Sequence, residues 1–496
     1  MRSNPTEILG LGSTCGNEGS LGHDYQGHGG INSWAFGRVL VYGPGMAIDT
    51  QTNQEHGLRH QLSAGQMAML AVGGSIGTGL LLGSAAALEI AGPGVILSFA
   101  LAAFMSFTVT MALGELASVH PAAGSFGLYG ELYLNQWAGF ISRAGYWAAI
   151  AVSVGAELLA SSTYMAYWFP TVPALFWVVI FSIVLLLINS RSVGNYGRFE
   201  YWFAMIKVVT IAAFIVIGAA LLLTGHVTPQ YTAQGGFLPK GWVAPLFAMG
   251  FAMYTFGGVE MVAISTGESR SARDIPRAVL ITFGLLTCLY MGAIVVLVGV
   301  MPWNHAGVTE SPFVTVFRNA KIPGAPDIMS FVVLTAALSG ANAALYVSSR
   351  MLFSLARGGW APAVFGRLNA AGSPKLALLA SSYGIVVAII LQKWLPKDAF
   401  VSILEAALVG MMLSWLVVLA SHVSFRKQLS PNQLAGLPMR SPLGAWGSVL
   451  GLVLIVVSIL EIGWSSHLTL ISGAVYIVVL SVAYWLMKKN RSERRM

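Results

Sequence analysis

Long apolar runs separated by short polar connections follow one another from Gln66 to the end of the chain. A helix of about 20 apolar residues crosses the ~30 Å hydrocarbon core of a bilayer. The pattern predicts twelve membrane-spanning helices, near 66–88, 94–119, 138–169, 174–190, 200–224, 243–265, 277–301, 328–356, 375–394, 400–422, 445–463 and 467–487. The stretch 121–137 is too polar to span and is predicted to form a short helix at the membrane interface. The fold class is therefore an all-α polytopic membrane protein.

The composition narrows the functional classes. Hydrophobic residues make up 56% of the chain and charged residues 9%, against roughly 25% charged residues in soluble globular proteins. So little charge excludes a soluble enzyme, a nucleic-acid-binding domain and a secreted disulfide-rich domain. The two cysteines, Cys15 and Cys288, form neither a zinc spacing nor a redox pair, and the histidines are scattered. The sequence predicts no metal, no cofactor and no enzymatic constellation.

Both ends of the chain differ from the predicted transmembrane domain, 61–487. Residues 1–60 are polar and glycine-rich, without helical periodicity. They are either a disordered cytoplasmic segment or partly non-native, since translation from Met46 would exclude residues 1–45. Residues 488–496 are predicted to be a basic cytoplasmic tail.

Basic residues are concentrated on alternate loops. If the N-terminus is inside, the outer loops carry only Lys240, Arg318, Lys321, Lys393 and Lys397. The inner loops and tail carry Arg191, Arg198, Arg270, Arg273, Arg277, Arg357, Arg367, Lys375, Arg426, Lys427, Arg440 and the basic residues of 488–496. Because Lys and Arg favour cytoplasmic loops, both termini are predicted to be cytoplasmic and the number of spans even.

Two predicted spans contain glycine clusters at mid-membrane depth. The first has GGSIGTG, from Gly73 to Gly79, and the sixth has TFGGVE, from Thr255 to Glu260. A glycine inside a helix costs about 1 kcal/mol relative to alanine, so these clusters predict unwound backbone. Unwound backbone is tolerated in a membrane only where it lines a cavity or a ligand. The alternative is that the glycines serve only close helix packing.

The two clusters lie five spans apart, which is typical of inverted-repeat transporters with a substrate site between broken helices. The prediction is a five-plus-five repeat, 66–224 and 243–422, followed by two accessory helices in 445–487.

Ordered motifs along the chain carry a family resemblance. They include RHQLSAGQMAMLAVGGSIGTGLLLGS, GELASVHPAAGSFGLYG, NYGRFEYWFAMIKVVTI, FGGVEMVAISTGES, SPFVTVF, ALSGANAALYVSSRMLFSLA and ASHVSFRK. The chain resembles the bacterial amino acid permeases of the amino acid–polyamine–organocation superfamily, which have the leucine-transporter-type fold. Its loops SPFVTVF, ASHVSFRK and GLPMRS resemble lysine and S-methylmethionine permeases, whereas Glu157 resembles the aromatic amino acid permeases.

The resemblance assigns amino acid binding to the two breaks. The matching positions are Ser75, Ile76, Gly77, Thr78, Gly79, Phe256, Gly257 and Gly258. Exposed N–H groups at 75–79 suit the substrate carboxylate, and the carbonyls of Ile76 and Phe256 suit its ammonium. Phe256 is expected either to cover the substrate as an inner gate or to be a core- or lipid-facing side chain. Glu260 is expected to hold the sixth-span break, bind a cationic group or move protons.

Four further charged residues in or near the spans carry expectations. Lys207 is costly in a membrane unless it is paired or neutral; the resemblance implies proton coupling, and the alternative is a lysine snorkelling to the surface. Glu157 and Glu405 are candidates for the side-chain pocket, where ionised carboxylates would favour a cationic substrate and protonated or paired ones would imply nothing. Glu115 is expected to order the interfacial stretch 121–137.

The predicted function is import of an amino acid across the cytoplasmic membrane of a prokaryote by proton symport with alternating access. The expected partners are the amino acid, protons and the lipid bilayer, with no nucleic acid. Two alternatives remain: an amino acid or polyamine exchanger, and a sensor that uses the transporter fold without net flux. The oligomeric state is not predicted.

Overall fold

The computed structural model describes residues 62–121, 125–190, 196–271, 273–305, 311–319, 324–369, 373–395, 399–465 and 467–493. All of them belong to one compact unit, Gly43–Met496. The predicted N-terminal segment 1–60 lies outside the described residues. The predicted basic tail lies partly inside the last helix, which continues to Glu493.

Regular structure in these residues is helical, apart from an isolated bridge between Leu62 and Ser269. The α-helices are α1 (Ala64–Ser75), α2 (Ser84–Ala91), α3 (Val95–Val119), α4 (Ser125–Tyr133), α5 (Gln136–Met165), α6 (Ala174–Ser190), α7 (Tyr196–Leu223), α8 (Ala244–Phe247), α9 (Met249–Thr255), α10 (Met261–Ile264), α11 (Asp274–Val300), α12 (Pro312–Asn319), α13 (Ala325–Arg357), α14 (Lys375–Ser381), α15 (Tyr383–Trp394), α16 (Ala399–Gln428), α17 (Pro431–Ala435), α18 (Gly444–Ser465) and α19 (His467–Glu493).

Many of these helices have the length and the apolar composition of membrane-spanning segments. Within the described part of the chain, eight helical stretches are long and apolar enough to cross a membrane: Gly79–Val119, Gln136–Met165, Glu200–Leu223, Asp274–Val300, Ala325–Arg357, Lys375–Trp394, Ala399–Gln428 and Gly444–Glu461. The shorter α6 is also apolar. An all-helical, multi-span fold is therefore confirmed. The count of twelve stays a prediction. The first and sixth predicted spans are interrupted into short pieces, and the fourth and twelfth, α6 and α19, are not among these eight stretches.

The central helix is α5. Of the 18 consecutive residues that form its most apolar part, 83% are buried inside the protein, compared with 22% for the corresponding part of α7. It packs along α13 and α16 and also contacts α4, α6, α15 and α19. Helix α1 begins with a capping box formed by Ser63 and Gln66 and packs against α7, α11 and α13. The interrupted first span is therefore enclosed by helices from distant parts of the chain.

Candidate functional site

The first break lies between α1 and a π-helical turn at Gly79–Gly83. Helix α1 ends at Ser75, and Ile76 adopts an extended conformation with φ of −79° and ψ of 90°. A Cβ atom added at Gly79 would approach the Cα atom of Thr255 to 3.0 Å. Glycine therefore allows the backbone of the first span to touch the end of α9.

The second break separates α9 from the four-residue α10. Gly258 in this break has a φ of +100°, a conformation that side chains other than glycine rarely adopt. A Cβ atom added there would approach Ser75 Oγ to 2.6 Å and Ser75 Cα to 2.9 Å. The two breaks therefore lie directly against each other.

The carboxylate of Glu157, from the central helix α5, contacts the first break. The backbone N–H of Thr78 donates to both its oxygens, at 3.2 and 3.3 Å. The side chain is 7% exposed and lies against Gly77, where an added Cβ would come to 2.4 Å from Oε1. It also lies against Gly340 on α13. The structure thus places Glu157 at the backbone break itself.

Lys207 reaches the same span from α7. Its Nζ donates to the carbonyl oxygen of Gly73 at 2.7 Å, and the residue is 2% exposed. A snorkelling lysine would place its ammonium in water, and this geometry does not. Lys207 therefore points into the protein and contacts the last turn of α1.

Glu200 is a second buried acid beside Lys207 that the sequence analysis did not select. It is 2% exposed and accepts a hydrogen bond from Ser339 Oγ at 2.9 Å. A Cβ added at Gly73 would lie 3.1 Å from its Oε1 atom. The spacing in the sequence could have identified Glu200. Residues seven apart lie on one face of a helix after two turns, so Glu200 lies on the same face of α7 as Lys207.

Tyr290 of α11 is another residue that sequence reasoning missed. Its hydroxyl donates to the carbonyl oxygen of Ser75 at 2.9 Å. Its ring centroid lies 5.0 Å from that of Phe256, which is fully buried and does not face lipid. The unwound end of the first span therefore has three side-chain partners from three helices: Lys207, Tyr290 and Glu157.

Glu260 binds the break in which it lies. The backbone N–H of Gly258 donates to both its oxygens at 3.1 Å. The indole Nε1 of Trp415, on α16, donates to Oε2 at 3.4 Å. Through these contacts Glu260 binds the backbone of the sixth-span break and joins it to α16. Holding this break is the first of the three roles expected for Glu260.

Glu405 is half-buried on α16 and lines a cavity with Lys240, Glu461 and several aromatic side chains. Glu157 is not among the residues that line this cavity. That the two acids line the substrate's side-chain pocket stays a prediction.

Glu115 lies near the C-terminal end of α3. Its carboxylate accepts from Arg426 Nε at 2.7 Å, from Arg426 Nη2 at 2.9 Å and from the backbone N–H of Ser441 at 2.6 Å. His422 Nε2 lies 3.3 Å from Oε1. These partners come from α16 and from the segment before α18. Part of stretch 121–137 lies outside the described residues, and an ordering role of Glu115 there stays a prediction.

The two breaks offer backbone groups that suit charges of both signs. Unwound backbone offers N–H and C=O groups that a continuous helix would use internally, and half-helix ends add partial charges of both signs. Among the described residues, no group of three or more His, Cys, Asp or Glu side chains could hold a metal ion.

The chain matches known proteins along most of its length. The profile of the family described as "Amino acid permease" matches residues 66–494. The uncharacterized amino acid permease YtnA of Bacillus subtilis is 32% identical over 450 residues, covering 88% of this chain and 97% of the relative. The aromatic amino acid transport protein AroP of Escherichia coli is 34% identical over 451 residues, covering 88% and 98%. The gamma-aminobutyric acid permease of Bacillus subtilis is 33% identical over 447 residues, covering 88% and 95%. These relatives are transporters rather than enzymes, and the chain belongs to the amino acid permease family of multi-span membrane proteins.

Proposed function

We propose that this protein is a secondary active transporter that imports an amino acid across the cytoplasmic membrane by proton symport with alternating access. The observation that carries the proposal is the meeting of two interrupted helices, where Gly258 lies against Ser75. Interrupted helices that meet in this way form the substrate sites of many secondary transporters. The relatives named for aromatic amino acids and gamma-aminobutyric acid support a substrate that carries an amino group and a carboxylate.

The proposed topology has twelve spans, with both termini in the cytoplasm. Its two repeats are 66–224 and 243–422, and the accessory helices lie in 445–487. Support comes from the interruption of a helix near the start of each repeat, at Ser75–Gly79 and at Thr255–Met261. The distribution of Lys and Arg over the loops supports the orientation.

In the proposed site the backbone around Ser75–Gly79 binds the substrate carboxylate, and the Ile76 and Phe256 carbonyls bind its ammonium. The N–H of Thr78 donates to Glu157, so an arriving carboxylate would take over this donor. Glu157 would then be beside the substrate, where its negative charge suits the ammonium group. This exchange keeps the Thr78 N–H and the Glu157 carboxylate paired in both conditions, as low-dielectric sites require.

Lys207 is the proposed proton carrier. Its ammonium contacts the first-span backbone, so gain or loss of a proton changes a bond to a helix that lines the site. Buried charge in a membrane is costly unless it is compensated, and Glu200 on the same helix face offers that compensation. The substrate and the proton-carrying lysine would both contact the first span, and this shared contact is the physical basis proposed for coupling.

Uptake into proteoliposomes tests this function. A panel of radiolabelled amino acids is offered under an imposed inward proton gradient, and at least one should accumulate above its equilibrium level. Accumulation driven only by a sodium gradient would contradict proton symport. Counterflow without gradient-driven accumulation would indicate an exchanger, and binding without either flux would indicate a sensor.

A further inference from the structure

Glu200 lies between Lys207 and the side of the membrane that is predicted to be cytoplasmic. It is near the N-terminal end of α7, which follows a predicted cytoplasmic loop. Lys207 is seven residues further along the helix, which is about 10 Å deeper at the rise of an α-helix. A proton that leaves Lys207 for the cytoplasm along α7 would therefore pass Glu200.

Lys207 and Glu200 both adjoin one glycine of α1. The ammonium of Lys207 donates to the carbonyl oxygen of Gly73 at 2.7 Å. A Cβ atom added at Gly73 would lie 3.1 Å from Glu200 Oε1. The absence of a side chain at Gly73 therefore lets the ammonium and the carboxylate approach the same turn of the first span.

Helix α13 holds the carboxylate of Glu200. The hydroxyl of Ser339 donates to Glu200 Oε1 at 2.9 Å, and the two residues are 4% and 2% exposed. A hydrogen bond donated to a carboxylate stabilises its charged form. Ser339 therefore favours the form of Glu200 that can accept a proton.

The predicted outer side of Lys207 has a different character. A cavity of about 10 Å³ lies there, which is the size of a single water molecule. Its lining residues other than Lys207 are apolar, apart from Thr210. Phe313 of α12 and Ile211 of α7 line it toward the predicted outer face. Lys207 is thus the one ionisable residue that lines this cavity, whereas an acid lies toward the cytoplasm.

We propose that Glu200 takes the proton from Lys207 and releases it to the cytoplasm. In this transfer an N–H bond of the Lys207 ammonium breaks and an O–H bond forms on the Glu200 carboxylate, so both side chains become neutral. Neutral groups are far less costly to bury in a membrane than charged ones. When the cytoplasmic side opens, the carboxylic acid gives its proton to water and becomes a carboxylate again. The proposal rests on proton symport, the function proposed above.

Two other titratable groups reach this part of the first span. Glu157 of α5 accepts from the N–H of Thr78, and Tyr290 of α11 donates to the carbonyl oxygen of Ser75. Both contacts lie at the break, beyond Gly73 in the chain. A variant that alters only the partner of Glu200 on α13 therefore leaves the contacts of these two groups in place.

Proton movement into the lumen of proteoliposomes tests the role of Glu200. The full chain is reconstituted with a trapped pH-sensitive dye, and the amino acid that accumulates best in the uptake panel is added outside. The wild-type protein should acidify the lumen. Glu200→Gln should lose acidification and gradient-driven accumulation but keep counterflow at equal pH, because glutamine accepts a hydrogen bond but carries no proton. Glu89→Gln is the matched control, since Glu89 is exposed on α2.

Two milder variants give readouts that a purely structural role would not change. Glu200→Asp should retain acidification, because a shorter carboxyl group still carries a proton. Ser339→Ala should shift the luminal pH for half-maximal uptake upward by about one unit, since a hydrogen bond to a charged group is worth about a factor of ten. Thr335→Ala, which loses a bond within its own helix, should leave the profile unchanged. An unchanged profile in Ser339→Ala would overturn the proposal.

The role of Glu200 and proton symport fail in different ways. Wild-type acidification by Glu200→Gln, with acidification lost in Lys207→Ala, would overturn the role of Glu200 and leave symport intact. A wild-type protein that performs counterflow without acidifying the lumen would contradict symport itself. Loss of counterflow in Glu200→Gln would show that Glu200 supports the fold, and this result would also overturn the proposal.

Discussion

Replacing Gly77 with alanine or valine is the sharpest perturbation of the first break. In the structure a Cβ atom at this position would lie 2.4 Å from Glu157 Oε1 and 3.2 Å from its Cδ. The carboxylate would have to move by about 1 Å to reach an ordinary contact distance. Because both oxygens accept from the N–H of Thr78, this movement breaks the bond that joins α5 to the break.

The magnitude follows from the contact that Glu157 is proposed to make with the substrate ammonium. Loss of a hydrogen bond to a carboxylate, with its buried donor left unpaired, costs about 1–3 kcal/mol. Since about 1.4 kcal/mol is a factor of ten in affinity, displacement of Glu157 in Gly77→Ala should weaken substrate binding by about fivefold to 150-fold. Valine adds two methyl groups in the space where the substrate backbone is proposed to bind, and should abolish it.

Counterflow at equal pH in proteoliposomes measures this effect, because it depends on substrate binding at the transport site and needs no net movement of protons. Gly284→Ala and Gly284→Val are the matched controls, since an added Cβ at Gly284 on α11 meets nothing within 4 Å. In a Glu157→Ala background, Gly77→Ala should add little, because the atom it displaces is gone. A near-normal half-saturating concentration in Gly77→Val would refute the proposal that the break binds the substrate backbone.

Two further variants test the contacts around the site and at the C-terminal end of α3. Tyr290→Phe removes the hydroxyl that donates to the Ser75 carbonyl, and counterflow affinity should fall by about fivefold or more because a buried acceptor is left unpaired. The control Tyr383→Phe loses a bond to the Ala148 carbonyl and should not change the affinity; equal effects of the two variants would argue against a role for Tyr290 at the break. Glu115→Ala should lower the free energy of unfolding in detergent by about 3 kcal/mol, the lower end of the range for a broken buried ion pair, since Arg426 is 16% exposed. An unchanged unfolding midpoint would show that this cluster contributes no stability.

The helices and the two breaks could be predicted from the sequence because they depend on local features. Apolar runs specify the long helices, and the glycine clusters specify where α1 and α9 end. The number of spans follows less directly, because each part of an interrupted helix is too short to be recognised by length and hydropathy alone. The contact of Glu260 with Gly258, two residues away, is also local.

The partners of the break could not be predicted, because they depend on which faces of distant helices adjoin. Glu157 lies 79 residues from Thr78, and Tyr290 lies 215 residues from Ser75. The rotation of α5 decides that Glu157 contacts the backbone of the first break. Glu115 illustrates the same limit, since its partner Arg426 is 311 residues away.

The central claim is that Lys207 couples proton movement to substrate movement at the first break, and uptake by Lys207→Ala tests it most directly. Vesicles with an imposed inward proton gradient are compared with counterflow at equal pH, and Lys207→Arg is included because a guanidinium does not lose its proton in proteins. The account predicts that both variants lose gradient-driven accumulation, while Lys207→Ala retains counterflow. If Lys207→Ala concentrates the substrate as wild type does, the lysine only supports the fold and the coupling proposal is wrong.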